Sequence, residues 1–157
     1  MEKSRTCCFT GDHRLPKDRI EQIVIRLNKE VDNLISQGVT DFISGGALGF
    51  DMIAASLIIS KKEMGNNVRL IFVLPCREQD KLWSVDEKKL YQSLLGEADE
   101  IIYVSKEYYD GCMRKRNQYM VDRSAYCICA SIYPTGGTAQ TVRFARQKCI
   151  RVFEIAR

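Results

Sequence analysis

One histidine, one tryptophan and three prolines are the scarcest features of this 157-residue chain, and each scarcity narrows its chemistry. Cysteines come close together only at Cys7-Cys8 and Cys127-x-Cys129, and His13 stands alone, so the spaced knuckles of a structural zinc site are missing and no metal site is expected. Ten glycines, without a fixed period and without low-complexity tracts, exclude collagen-like, disordered and solenoid classes. Long apolar runs are missing too. Stretches such as Leu70 to Pro75 fall far short of the roughly 20 residues a membrane helix needs. Met1 to Arg5 is charged and leads straight into a strand-like run, with no apolar leader core, so a cytoplasmic protein is expected. Cysteine is plentiful by contrast. Seven is an odd number, and 45% apolar residues suffice for a core without covalent staples, so these read as reduced thiols.

The length fits one domain over residues 1–157. Net charge is +4 but uneven: from Cys112 onward nine Lys and Arg face two acids, whereas residues 1–111 carry a balance of −3. The basic third attracts anions, or is a solvated face. Hydrophobic periodicity then sets the element order. A short strand from Arg5 to Thr10 ends at Gly11, and Asp18 and Glu21 stand at capping-box spacing before apolar residues that recur every 3.6 positions from Ile20 to Ile35, with Gly38 as the stop. A strand from Asp41 to Ser44 breaks at Gly45-Gly46, a helix runs from about Phe50 to Met64, and Val68 to Leu74 reads as a strand buried on both faces. Further helices are expected near 85–95, 113–124 and 137–148, alternating with strands near 100–104, 126–130 and 150–155. Such alternation defines an α/β fold, a three-layer Rossmann-like sandwich around a mainly parallel sheet.

Open α/β sheets bind ligands beyond the carboxyl ends of their strands, and glycine gathers at those turns here. Thr10-Gly11, the run Ser44-Gly45-Gly46-Ala47-Leu48-Gly49 through Asp51, and Thr135-Gly136-Gly137-Thr138 each follow a strand. With Cys7-Cys8-Phe9, His13-Arg14, Val73-Leu74-Pro75-Cys76, Gln79-Asp80, Trp83, Tyr103-Val104-Ser105, Gly111-Cys112-Met113, Lys115-Arg116-Asn117 and Thr141-Val142-Arg143, these motifs resemble the YpsA family over nearly the whole chain. The resemblance implies the wider SLOG superfamily, which joins DprA-like DNA-processing proteins to LOG-like nucleotide hydrolases and is associated with nucleotide-derived ligands. Two departures stand out. Asp12 and Leu15 interrupt the family's Thr-Gly-His-Arg-Pro turn, and the glutamates that follow the glycine motif of LOG-type enzymes have no counterpart after Gly136-Gly137.

The expected ligand contacts are Gly11, Arg14, Gly45, Gly46, Gly49, Asp51, Trp83, Arg116, Asn117, Gly136, Gly137 and Thr138, and no catalytic residue is assigned. Thr138 to Thr141 open a helix without an acid, which suits a phosphate, although water satisfies such turns as well. Asp51 suits a ribose hydroxyl, or simply complements its helix dipole. Arg14 grips phosphate or sits in solvent, and Trp83 stacks on a base or packs under its own loop. Cations at 114–116 are misplaced in a first helical turn unless an anion, Asp110 or solvent offsets them.

Three functions follow. The leading one is a sensor that binds a nucleotide or a derivative such as NAD or ADP-ribose, with no cofactor fixed by the sequence. Next stands a LOG-like hydrolase of N-glycosidic or phosphoribosyl bonds, with Asp51, Glu78 or Asp80 replacing the missing glutamate. A DprA-like binder of single-stranded nucleic acid is the lesser expectation. The resemblance also implies a homodimer, and no membrane partner is expected.

Overall fold

A computed structural model describes all 157 residues. After a 3₁₀ turn at Lys3–Arg5, the chain alternates β1 (Thr6–Gly11), α1 (Lys17–Ser36), β2 (Asp41–Ser44), α2 (Phe50–Glu63), β3 (Arg69–Leu74), α3 (Val85–Gly96), β4 (Glu100–Tyr103), α4 (Cys112–Asp122), β5 (Tyr126–Ala130), α5 (Gly137–Gln147) and β6 (Arg151–Glu154). The six strands form one sheet in the order β4-β3-β2-β1-β5-β6, and every pairing is parallel rather than merely most of them.

Residue alternation along the strands builds two cores. Phe9, Phe42, Leu70, Phe72, Leu74 and Ile128 point to one face, beneath α1, α2 and α3. Their neighbours Cys8, Ile43, Ile71, Val73, Cys127 and Cys129 point to the other, beneath α4 and α5. Burial on both faces explains why the central strands read as continuous apolar runs. Edge strand β4 is largely exposed, and no helix is long and apolar enough to cross a membrane. Six of the seven thiols are buried, and only Cys149 is exposed.

The expected helix and strand limits fall within two residues of those observed. The expected capping box does not form. The first helix begins at Lys17 with Pro16 as its N-cap and no side-chain cap, which puts Asp18 inside the first turn and Glu21 beyond reach of the cap. A capping box exists instead at α3, where Ser84 Oγ accepts from Glu87 N–H and Glu87 accepts from Ser84 N–H.

Successive strands β1 to β4 build outward in one direction, and the chain then returns to lay β5 and β6 on the other side of β1. The turns after β1 and β5 therefore diverge to opposite faces and open a crevice between Gly11 and Ala130, the last paired residues of those strands.

Candidate functional site

That crevice holds a cavity of about 230 Å³. Its floor is the end of β1, Phe9 to Gly11, continued by Asp12 and His13. Ala47 and Asp51 from the start of α2, Met113, Arg116 and Asn117 from the start of α4, and Thr135 to Thr138 at the start of α5 form the walls.

Three helices thus begin at one cavity, and all three begin alike. The N-caps of α2, α4 and α5 are Gly49, Gly111 and Gly136, at φ +81°, +95° and +102°, and none receives a side-chain cap. Of the other two helices that start on this rim, α3 satisfies its own start through Ser84 and Glu87, α1 begins after Pro16, and neither lines the cavity. No acid occupies the first turn of α4 or α5, and the N–H groups of Gly137, Thr138 and Ala139 find no acceptor within the chain. Unpaired donors and the positive end of the dipole suit an anion on that wall.

The opposite wall is built around a buried carboxylate and a buried guanidinium. Asp51 is 5% exposed and Arg116 4%, and they flank Gly45 without forming a direct ion pair. Arg116 is held from three sides: Nη1 donates to Gly45 O (2.5 Å) and Gln79 Oε1 (3.4 Å), and Nε donates to Asn117 Oδ1 (2.7 Å). The amide of Gln79 continues the chain of bonds to Gly45 O, Gly46 O and Tyr91 Oη. Asp51 Oδ2 accepts from Ala47 N–H (3.3 Å), whereas Oδ1 has no partner in the protein. Burial pushes the Asp51 carboxyl up to about 6, against the opposing pull of Arg116 and Ala47 N–H. Partial burial and the Arg116 cation push His13 below its ordinary value, so at neutral pH it is an uncharged imidazole offering one donor and one acceptor.

The raised carboxyl makes stability depend on pH with a definite sign. In the unfolded chain Asp51 ionises near 3.8, so between about pH 4 and 6 the folded state binds the extra proton. Stability contributed by the protonated form is complete below that window and is lost by its upper end, a cost of about 2–3 kcal/mol at neutral pH. Asp51→Asn, which mimics the neutral acid, should therefore be the more stable protein at pH 8 and indistinguishable from wild type at pH 4. Urea melts at the two values test this, and an equal effect at both would show that ionisation is not its source.

Among the expected ligand residues, Gly11, Asp51, Arg116, Asn117, Gly136, Gly137 and Thr138 all line the cavity. Gly45 stands behind it, where a Cβ would come within 2.7 Å of Arg116 Nη1 and 2.9 Å of Asp51 Oδ2. Gly46, at φ +66°, abuts Leu74 and Tyr91 and shapes the turn, and Gly49 lies against the main chain of Asp12 and His13.

Two expected contacts lie elsewhere. Trp83 packs edge-to-face on Tyr91, ring centroids 5.0 Å apart, so its apolar surface is already used in the core beneath α3. Arg14 is exposed and does not line the cavity, where Asp12 and His13 stand instead. The Asp12 Oδ2 atom accepts from Ile132 N–H at 2.7 Å, its N–H bonds Ala130 O and its carbonyl accepts from Phe50 N–H, tying three segments of the rim together. The residue that departs from the family motif is thus a structural tie, and His13 rather than Arg14 reaches the cavity. Gln79 was the other residue the sequence did not single out for the site. A glutamine in a loop carries no pattern that announces burial.

Fold and crevice together define an open parallel-sheet α/β protein of the Rossmann-like class, with its candidate site at the topological switch. The chain belongs to the YspA SLOG family, whose YpsA pattern matches residues 9–146. The SPbeta prophage-derived protein YoqJ of Bacillus subtilis is 34% identical over 118 residues, covering 68% of this chain and 69% of that protein. UPF0398 protein BH1768 of Halalkalibacterium halodurans is 30% identical over 118 residues, covering 74% of this chain and 60% of its own length. In fold, the chain is similar to DNA processing protein A (DprA) of Streptococcus pneumoniae, with a TM-score of 0.70 at 16% identity over 97% of this chain and 50% of that one. The Helicobacter pylori DprA, described for its single-stranded DNA binding mode, gives 0.66 at 18% identity over 97% and 65%. This chain therefore spans about half to two thirds of its structural relatives.

Proposed function

We propose that the cavity binds a nucleotide or a nucleotide derivative, and that the protein senses this ligand rather than turning it over. One observation carries the reading: the unpaired N–H groups of Gly137 and Thr138, at the start of α5, border the same cavity as a buried carboxylate with a free oxygen. A phosphate suits the first and the hydroxyls of a ribose suit the second, since a carboxylate accepts hydrogen bonds and repels phosphate. Hydrogen bonds to the ionised carboxylate favour that form, so binding below about pH 6 releases a proton. Support for sensing comes from how few acids the cavity contains. Glu78 is exposed, Asp80 is half-buried, and neither lines it, which leaves Asp12 and Asp51 as its carboxylates. Asp12 is bound to Ile132 N–H.

Titration calorimetry with AMP, NAD and ADP-ribose should give dissociation constants in the micromolar range. Absence of binding below millimolar concentration would overturn the reading. Free base appearing from AMP or NAD, and lost in Asp51→Asn, would instead establish the hydrolase. A second reading, the nucleic-acid binder, draws support from the fold shared with DprA and from the basic residues of the C-terminal third. Single-stranded DNA binding that weakens steeply with salt would favour it over a small-molecule sensor.

A further inference from the structure

A second concave site adjoins the cavity, and it rests on different residues. Arg114 and Gln118 from α4, with Gln140, Arg143, Phe144 and Gln147 from α5, line a groove of about 230 Å³ between the two helices. It shares Asn117 with the cavity and runs down the face of α5 that starts at Gly137, because positions 137, 140, 144 and 147 lie on one side of a helix. At the far end Lys148 and Asp122 pair across the two helices at 3.6 Å.

Its chemistry is one-sided. No acid lines the groove, each helix contributes an arginine, and Gln118, Gln140 and Gln147 supply amides. None of the side chains of Arg114, Gln118, Gln140, Arg143 or Gln147 makes a hydrogen bond within the chain, while Phe144 offers an aromatic surface that packs against the second core. Guanidinium pairs suit phosphate and amides suit the edges of a nucleobase. Placement points the same way. The groove continues from the cavity at Asn117, so a ligand seated at α5 and larger than the cavity of about 230 Å³ enters it.

Building on the nucleotide reading, we propose that the ligand is a two-part, pyrophosphate-linked nucleotide, whose first phosphate meets the start of α5 and whose distal phosphate and sugar or base lie in the α4–α5 groove. The groove is then a specificity element: it distinguishes a dinucleotide or nucleoside-diphosphate sugar from a mononucleotide.

Calorimetry with AMP and ADP-ribose, on wild type and on the double variant Arg143→Ala/Gln147→Ala, tests this. Wild type should bind ADP-ribose at least tenfold more tightly than AMP. The variant, its fold checked by circular dichroism, should lose that advantage and keep its AMP affinity within twofold. Equal affinities in wild type, or an advantage that survives the variant, would overturn the groove while leaving the nucleotide site standing. Loss of both affinities alike would assign the two side chains to general stability or charge and overturn the groove as well. If neither compound binds, the nucleotide reading and this inference fail together, and tight binding of an oligonucleotide alone has the same consequence.

Discussion

Gly49→Ala should destabilise the protein by about 3 kcal/mol or more. The residue caps α2 at φ +81° and ψ −121°, a region open to glycine that costs a side chain about 1–3 kcal/mol. Its Cβ would also overlap the main chain of His13 and Asp12, which cannot rotate away as a flexible side chain does, adding about 1–3 kcal/mol of overpacking. Gly38 supplies the control. It stands at φ +97° with nothing within 4 Å of its would-be Cβ, so Gly38→Ala carries the conformational cost alone. Urea unfolding of the two variants separates the terms. Equal losses would mean that the His13 turn yields, and that the rim is softer than its hydrogen bonds suggest.

Arg116→Ala should combine a stability loss of about 3 kcal/mol with at least a tenfold loss of nucleotide affinity. The guanidinium bonds Gly45 O, Gln79 Oε1 and Asn117 Oδ1 at once, and bonds to a charged group contribute about 1.5–3 kcal/mol each, offset by the cost of holding the cation away from water. Its loss also removes the charge that holds Asp51 down, so that carboxyl should rise above about 6. The pH at which nucleotide binding turns on should rise with it. Arg116→Lys keeps the charge but has no planar fork to reach three acceptors, so it should restore the pH midpoint more fully than the stability. A midpoint unmoved in Arg116→Ala would separate the two residues electrically and leave Arg116 a packing role alone.

How much of this the sequence made legible varied with the physics involved. Strand and helix order followed from apolar periodicity, because Phe9, Phe42 and Phe72 alternate with Cys8, Ile43 and Val73 in a pattern only a doubly covered sheet produces. Helix starts were harder. Asp18 and Glu21 carry the same spacing as Ser84 and Glu87, and only the position of Pro16 relative to α1 decides that one pair caps and the other does not. At the site, the glycine turns announced themselves through backbone demands that few other residues meet. Arg116 stood out as a cation in the wrong part of a helix, and its three acceptors resolve that anomaly. Arg14 and Trp83 were out of reach of such reasoning. An exposed arginine and a packed one, or a stacked tryptophan and a lidding one, share the same letters, and what separates them is a contact with Tyr91 or a turn redirected by Asp12.

The return of the chain across β1 has a consequence for how such a protein can diversify. Because the hollow arises where neighbouring connections veer apart, it is a property of routing, and its position does not depend on which side chains line it. Strand ends, connections and the opening turns of three helices carry the groups that meet a guest, with the connections acting as hinges anchored on rigid strands. New recognition chemistry can therefore be written into those hinges while the interior that secures them stays untouched, which makes the architecture a durable address whose occupant is negotiable.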